Sequence, residues 1–359
     1  MTDRLNCCYR SAGKVTQRTK AALLALLLAL VAAHTRAEPE KIIIDADVGI
    51  DDAMAILLAH ASPELEVVGI TTVFGNATIE NSTRNALYLT QRLQVATPVV
   101  QGARKPLVLP EGPPTDFVHG ANGLGNYPVN LAGDRIPLNL TAAEFIIEQS
   151  HIYPGELTLV PVGRLTNIAL ALALDPTLPS RIKQVVLMGG AFHHPGNVTP
   201  VAEANIIGDP HAADVVFGAP WQKLVAIGLD VTTQLVVGPK DLAAITKKNP
   251  TTGQFLEGIS AFYLNFYRSV GVEEGFYLHD PAAILYVIKP ELFNLEGGPV
   301  RVITEGIAIG QTIAATADQA ARLSDWQATP ASLYAVGVEQ KKGVKLFLSR
   351  LQKLPLSSE

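Results

Sequence analysis

Short runs of apolar, β-branched residues alternate along this chain with longer stretches whose apolar positions recur every three to four residues. The runs at 41–45, 66–73, 157–161, 184–188, 223–229 and near 299–304 read as buried strands. The stretches 51–61, 79–93, 141–151, 165–174, 211–217, 254–269 and 280–288 read as helices. Regular strand–helix alternation predicts an α/β fold: one large domain built on a mostly parallel open sheet with helices on both faces. In such a sheet ligands bind beyond the carboxyl ends of the strands. The segment 101–140 breaks the pattern, with Gly and Pro throughout and no sustained period. A loop that long in a compact domain is functional or mobile. It contains Phe117-Val118-His119-Gly120-Ala121-Asn122-Gly123-Leu124-Gly125, whose glycines let backbone approach a ligand, and His119 is counted as a substrate-binding candidate.

Residues 1–37 stand apart. A basic start is followed by the apolar run 21–33 and then His34-Thr35-Arg36-Ala37. The run is short for a membrane span and suits a secretory signal peptide cut near Ala37. The mature chain is therefore expected to be residues 38–359, periplasmic or secreted and free of the membrane after cleavage. The 28 basic and 33 acidic residues give a net charge of −5. Residues 1–37 hold six of the former and one of the latter, which leaves −10 beyond them. An acidic exported protein is a poor partner for nucleic acid. Both cysteines, Cys7 and Cys8, lie in the leader, so the mature chain has no thiolate chemistry. Its 48% hydrophobic content with 17% charged residues is that of a globular protein.

The candidate chemistry begins at the first strand. Ile42-Ile43-Ile44-Asp45-Ala46-Asp47-Val48-Gly49-Ile50-Asp51-Asp52-Ala53 runs from apolar strand through a glycine into an amphipathic helix, with four aspartates at the junction. So many like charges repel unless something positive sits among them. An oxygen-only cluster calls for a hard divalent cation, Ca²⁺ or Mg²⁺. Aspartate also caps helix starts, so part of the cluster is explained by the helix alone. Asp45, which ends the strand, is the one expected to be structural. Asp51 and Asp52 project about 100° apart on a helix, so one can meet a metal while its neighbour faces something else.

Further polar groups follow the other expected strands. They are Val73-Phe74-Gly75-Asn76, Val160-Pro161-Val162-Gly163-Arg164-Leu165-Thr166-Asn167, Met188-Gly189-Gly190, Gly196-Asn197 through Glu203-Ala204-Asn205, and His279-Asp280-Pro281. Taken in order, these segments resemble the inosine–uridine nucleoside hydrolase family, whose signature is Asp-x-Asp-Pro-Gly-x-Asp-Asp-Ala after the first strand. The likeness spans residues 40–345. It implies a bound Ca²⁺, hydrolysis of ribonucleosides to ribose and free base, and a homo-oligomer, dimer or tetramer. Asp47, Asp52 and Asp280 resemble the metal carboxylates, joined by the Val162 backbone carbonyl. Asp51 resembles the general base that activates the attacking water. Asn76, Asn197, Glu203, Asn205 and the Met188 region resemble ribose partners, and His279 the residue that helps protonate the leaving base. Val48 replaces the family's proline, Ala204 a phenylalanine and Thr233 a histidine. Tyr263, Phe266, Tyr267, Phe276 and Tyr277 are candidates to stack on the base, and His193 and His194 to face the entrance.

Two other readings compete. A haloacid-dehalogenase-type Mg²⁺-dependent phosphatase would use Asp45 as nucleophile and Asp47 as acid/base, but that family wants Gly-Thr or Gly-Val directly after the second aspartate, where Val48 stands. An exported nucleoside-binding protein without turnover would have no use for Asp51.

Overall fold

The structure, a computed structural model, describes residues 38–133 and 135–357. The expected leader at 1–37 lies outside them. Eleven strands are β1 (Glu40–Ala46), β2 (Leu65–Thr72), β3 (Val99–Gln101), β4 (Leu157–Pro161), β5 (Ile182–Met188), β6 (Leu224–Ile227), β7 (Val236–Val237), β8 (Phe276–Tyr277), β9 (Phe293–Val302), β10 (Thr312–Ala314) and β11 (Ala331–Val338). The longer helices are α1 (Ile50–His60), α2 (Ile79–Leu93), then, after the single turn α3 (Asp116–His119), α4 (Ala142–Ile152) and α5 (Thr166–Leu174). They continue with α6 (Ala204–Gly208), α7 (Pro210–Gly218), α8 (Leu229–Thr232), α9 (Pro239–Lys248), α10 (Pro250–Ser269) and α11 (His279–Ile288). The chain closes with α12 (Ala317–Ala320), α13 (Ser324–Gln327) and α14 (Gln340–Leu351). Among the described residues no helix is long and apolar enough to cross a membrane.

The nine-stranded sheet has the order β10-β9-β11-β6-β5-β4-β1-β2-β3. β9 runs antiparallel to β10 and β11, and every other neighbouring pair is parallel. Strand alternation explains the layers. Ile42 and Ile44 of β1 join a core with α1, α2, α10, α11 and α14, whereas Ile43 joins the opposite core with α4, α5 and α7. Both faces of β1 are thus buried, which is why its sequence is uniformly apolar. Fully burying each of these isoleucines is worth about 1.5–3 kcal/mol.

The path of the chain sets the site. From β1 it moves outward through β2 and β3, then returns to the other side of β1 as β4 and continues through β5 and β6. The order reverses between β1 and β4, and the carboxyl ends of those two strands open a crevice at that switch point. The sequence-based elements fall within a few residues of the observed ones, with β9 beginning earlier than expected. β3, β10, β11, α9 and α14 were not among the expected elements.

Candidate active site

The turn from β1 to α1 does most of the assembling. Asp45 sits between β1 and its neighbours and accepts hydrogen bonds from Thr71 Oγ1 (2.6 Å) and Asn167 Nδ2 (2.7 Å). It is structural as expected, tied to side chains of β2 and α5. Burial pushes its carboxyl up to about 7. Gly49 caps α1 and donates its N–H to Asp52 Oδ2 (2.8 Å), so one oxygen of Asp52 serves the helix start. The other, Oδ1, is buried with no hydrogen-bond donor.

Two more carboxylate oxygens share that condition: Asp51 Oδ1 and Asp280 Oδ2. Asp280 enters from the first turn of α11, which packs beside α1. One carboxylate oxygen from each of Asp51, Asp52 and Asp280 lies within 4.8 Å of the others. Burial, and then the charge of their neighbours, raises all three; Asp51 is pushed up to about 7. Three clustered carboxylates, each with one oxygen that has no donor, fit a hard cation by donor chemistry, since oxygen ligands and negative charge are what such ions select. Asp47 adjoins them and is differently engaged. Its Oδ2 accepts from the Asn76 N–H (2.7 Å) and from Arg164 Nη1, and its Oδ1 accepts from Asn76 Nδ2 (3.3 Å). The Val162 carbonyl accepts from Asn205 Nδ2 (2.7 Å) and leaves a second lone pair for another partner.

Beside this floor opens a cleft of about 380 Å³, within the range of small-molecule sites. Its lining brings together Asp51, Asn76, His119, Met188, Asn197, Glu203, Asn205, His279 and Asp280, drawn from strand ends, loops and helix termini far apart in the sequence. Asn205 Nδ2 reaches both the Met188 carbonyl (3.1 Å) and its sulfur (3.3 Å). Glu203 caps α6 through the N–H groups of Asn205 and Ile206, and also accepts from the Gly190 N–H (3.1 Å). Asn197 accepts from the Ala204 N–H (3.0 Å). The long loop delivers His119, whose Nδ1 accepts from the Ile50 N–H (3.1 Å) at the start of α1. A Cβ on Gly49 would lie 2.5 Å from that nitrogen, so only glycine permits the approach. Burial drives His119 down to about 3 and His279 down to about 4, so both rings are neutral at physiological pH. With Nδ1 accepting, the His119 proton resides on Nε2.

His279 is held at both ends, Nδ1 by Thr232 Oγ1 (2.8 Å) and Nε2 by the Tyr267 hydroxyl (2.8 Å). The Tyr263 and Tyr267 hydroxyls lie 3.4 Å apart, and both rings line the cleft with Asp51. Of the aromatic candidates, Tyr263, Phe266, Tyr267 and Tyr277 line the cleft. Phe276 does not: it is fully buried and packs on the Tyr263 ring, a core position dictated by its place in β8. His194 lines the cleft, whereas His193 turns outward to Glu296 (3.0 Å). Sequence reasoning passed over Arg164, Thr115 and Thr232. The sequence marks Arg164 only as a cation in an otherwise apolar strand-to-helix turn, and its place beside the carboxylates appears only in the fold.

The sequence matches the family described as "Inosine-uridine preferring nucleoside hydrolase" over residues 42–345. The chain belongs to that family. Among its nucleoside hydrolase relatives, "Uridine nucleosidase 1" of Arabidopsis thaliana is 44% identical over 276 residues, covering 76% of this chain and 81% of the relative. The inosine-uridine preferring nucleoside hydrolase of Crithidia fasciculata is 41% identical over 283 residues, covering 77% of this chain and 88% of the relative. A solved plant nucleoside hydrolase superposes with a TM-score of 0.83 at 38% identity, covering 88% of this chain and 99% of its own. A purine-preferring ribonucleoside hydrolase from Gardnerella vaginalis gives 0.82 at 34%, with the same coverage. Nucleoside hydrolases are metal-dependent, and the Asp51–Asp52–Asp280 cluster is where this one has the donors for an ion. The phosphatase and binding-protein readings find no support among these relatives.

Proposed function

We propose that the cleft hydrolyses the N-glycosidic bond of ribonucleosides to ribose and free base, with Ca²⁺ as the resident ion. Family membership supports the reaction. The single observation that supports its placement is the convergence of three buried, donorless carboxylate oxygens on the floor of a cleft walled by amide side chains. Asp52, Asp280, Asp47 and the Val162 carbonyl would hold the ion. When bound, a hard dication acidifies water and grips vicinal hydroxyls.

The chain's own groups do the remaining work. Asp51 takes the proton of the attacking water, a step typically worth ~10²–10⁴-fold. Positive charge develops on the sugar as the C–N bond breaks, and the carboxylates beneath it stabilise that charge in a site shielded from solvent. Asn76, Asn197, Glu203 and Asn205 orient the ribose, and the neutral Nε2–H of His119 offers a donor at the cleft wall. His279, tied to Tyr267 and Thr232, can exchange a proton with the departing base through that hydroxyl chain. Phe266 and Tyr277 supply apolar area for the base. Assembly as a dimer or tetramer, and export of a chain beginning near residue 38, belong to the same reading. Light scattering and N-terminal sequencing of the exported protein test them.

A reducing-sugar assay on inosine, adenosine, uridine and cytidine tests the reaction. Ribose should appear from at least one of them, vanish with chelator and return with calcium. No ribose from any nucleoside in calcium would overturn the reading; recovery with magnesium alone would replace the ion.

A further inference from the structure

We propose that Arg164 is a tethered counter-cation of the acidic cluster, one that steadies the cluster and loosens its hold on the dication. The inference rests on the metal reading above and goes beyond it to a residue to which that reading gives no role. The guanidinium is buried at 6% exposure, as are Asp47 and Asp52 at 0%, Asp280 at 2% and Asp51 at 5%. Its Nη1 pairs with Asp47 Oδ2 and also lies 3.4 Å from Asn76 Oδ1 and 3.3 Å from Asn205 Oδ1. Arginine has donors only, so both amides present their oxygens to it. Their Nδ2 groups are thereby turned to Asp47 and Asp52 on one side and to Val162 and Met188 carbonyls on the other.

The seat is shaped for this side chain. A Cβ on Gly75, which has φ +148°, would strike both Asp47 Oδ2 and the guanidinium. A Cβ on Gly208 would come within 2.6 Å of Arg164 Cγ and Nε. Two glycines, one against the guanidinium and one against its stem, therefore leave the slot that the arginine fills.

The energetic consequence follows from charge. Four carboxylates against one guanidinium leave the cluster short of positive charge, and a dication supplies the rest. The guanidinium and the dication are like charges sharing Asp47, so each weakens the other's binding in a poorly screened site. Asp47 keeps the backbone N–H of Asn76 when Arg164 is neutralised, and Arg164→Gln retains an N–H donor in the side chain, so that variant is the one that changes charge with least change of hydrogen bonding.

Calorimetric titration with CaCl₂ and melting in chelator, on the whole protein, test this. Arg164→Met and Arg164→Gln should bind calcium at least about tenfold more tightly than the parent. In chelator they should melt at lower temperature than the parent. Arg164→Lys, which keeps the charge, should lie nearer the parent in both. A neutral variant that folds only with calcium present is the same result in stronger form. Neutral variants that bind calcium no more tightly, or a lysine variant indistinguishable from them, would overturn the proposal and leave the metal site standing. A parent that takes up no calcium would sink the metal reading and this inference together.

Discussion

Asp51 and Asp52 are sequence neighbours with unlike duties, and the helix geometry is the reason. Asp52 spends one oxygen on the Gly49 N–H and aims the other at the cluster, while Asp51 faces the cleft and Tyr263. Asp51→Asn should therefore lower kcat by ~10²–10⁴, yet in chelator it should melt no lower than the parent, because it removes a buried charge whose Oδ1 has no donor to lose. Steady-state kinetics beside a melting curve check both halves. At this scale the sequence was informative wherever a residue type is chemically committed: the aspartates, the amides after each strand and His279 all converge. Arg164 was not legible, because its meaning depends on Gly75 and Gly208, which are far from it in sequence and frame its slot only after folding.

Among the elements, the β1–α1 and β4–α5 junctions matter most, since they face each other across the switch point. The turn at Gly75 is their shared wall. Gly75→Ala places a methyl group on Asp47 and Arg164 at a backbone angle alanine rarely adopts. Calcium affinity should fall by at least about tenfold and activity with it, while far-UV circular dichroism stays that of the parent. Calorimetry reads the first and a ribose assay the second. Strands buried on both faces were easy to read from sequence, because uniform apolar runs leave no competing pattern. β11 was harder. Its Ala-Ser-Leu-Tyr-Ala-Val-Gly-Val sequence includes Gly337, and its ladder to β9 slips in register between Ala335 and Gly337. α14 hid behind Gly343, a poor helix former tolerated because its bare face meets Leu235 and Leu285.

For the whole molecule, protons and the proposed calcium ion would compete for the same carboxylates. Asp51 is pushed up to about 7, and Asp52 and Asp280 lie well above their ordinary value, all by burial first. A carboxyl whose folded value exceeds its unfolded one binds more protons when folded, so stability falls as pH rises through the folded value. The lowered histidines act in the opposite sense, but only between their folded values, about 4 for His60 and His279 and about 3 for His119, and the ordinary 6.5. Above 6.5 they are neutral in both states and silent. Metal-free protein should thus lose stability between pH 6.5 and 8, and the gain in melting temperature on adding calcium should widen over the same interval. At a hundredfold excess over its dissociation constant the ion contributes about 2.7 kcal/mol, a shift of a few degrees. Differential scanning calorimetry at several pH values, with chelator and with calcium, checks both trends.

The cluster has one more property, set by how far apart its members are along the chain. Asp47 and Asp52 come from the first strand and helix, Val162 from the middle of the sheet, and Asp280 from a helix more than two hundred positions later. The proposed coordination sphere would not exist until the polypeptide's early and late thirds had docked. An ion captured there works as a late fastener, closing a loop that spans most of the sequence and reporting, by its arrival, that assembly is finished.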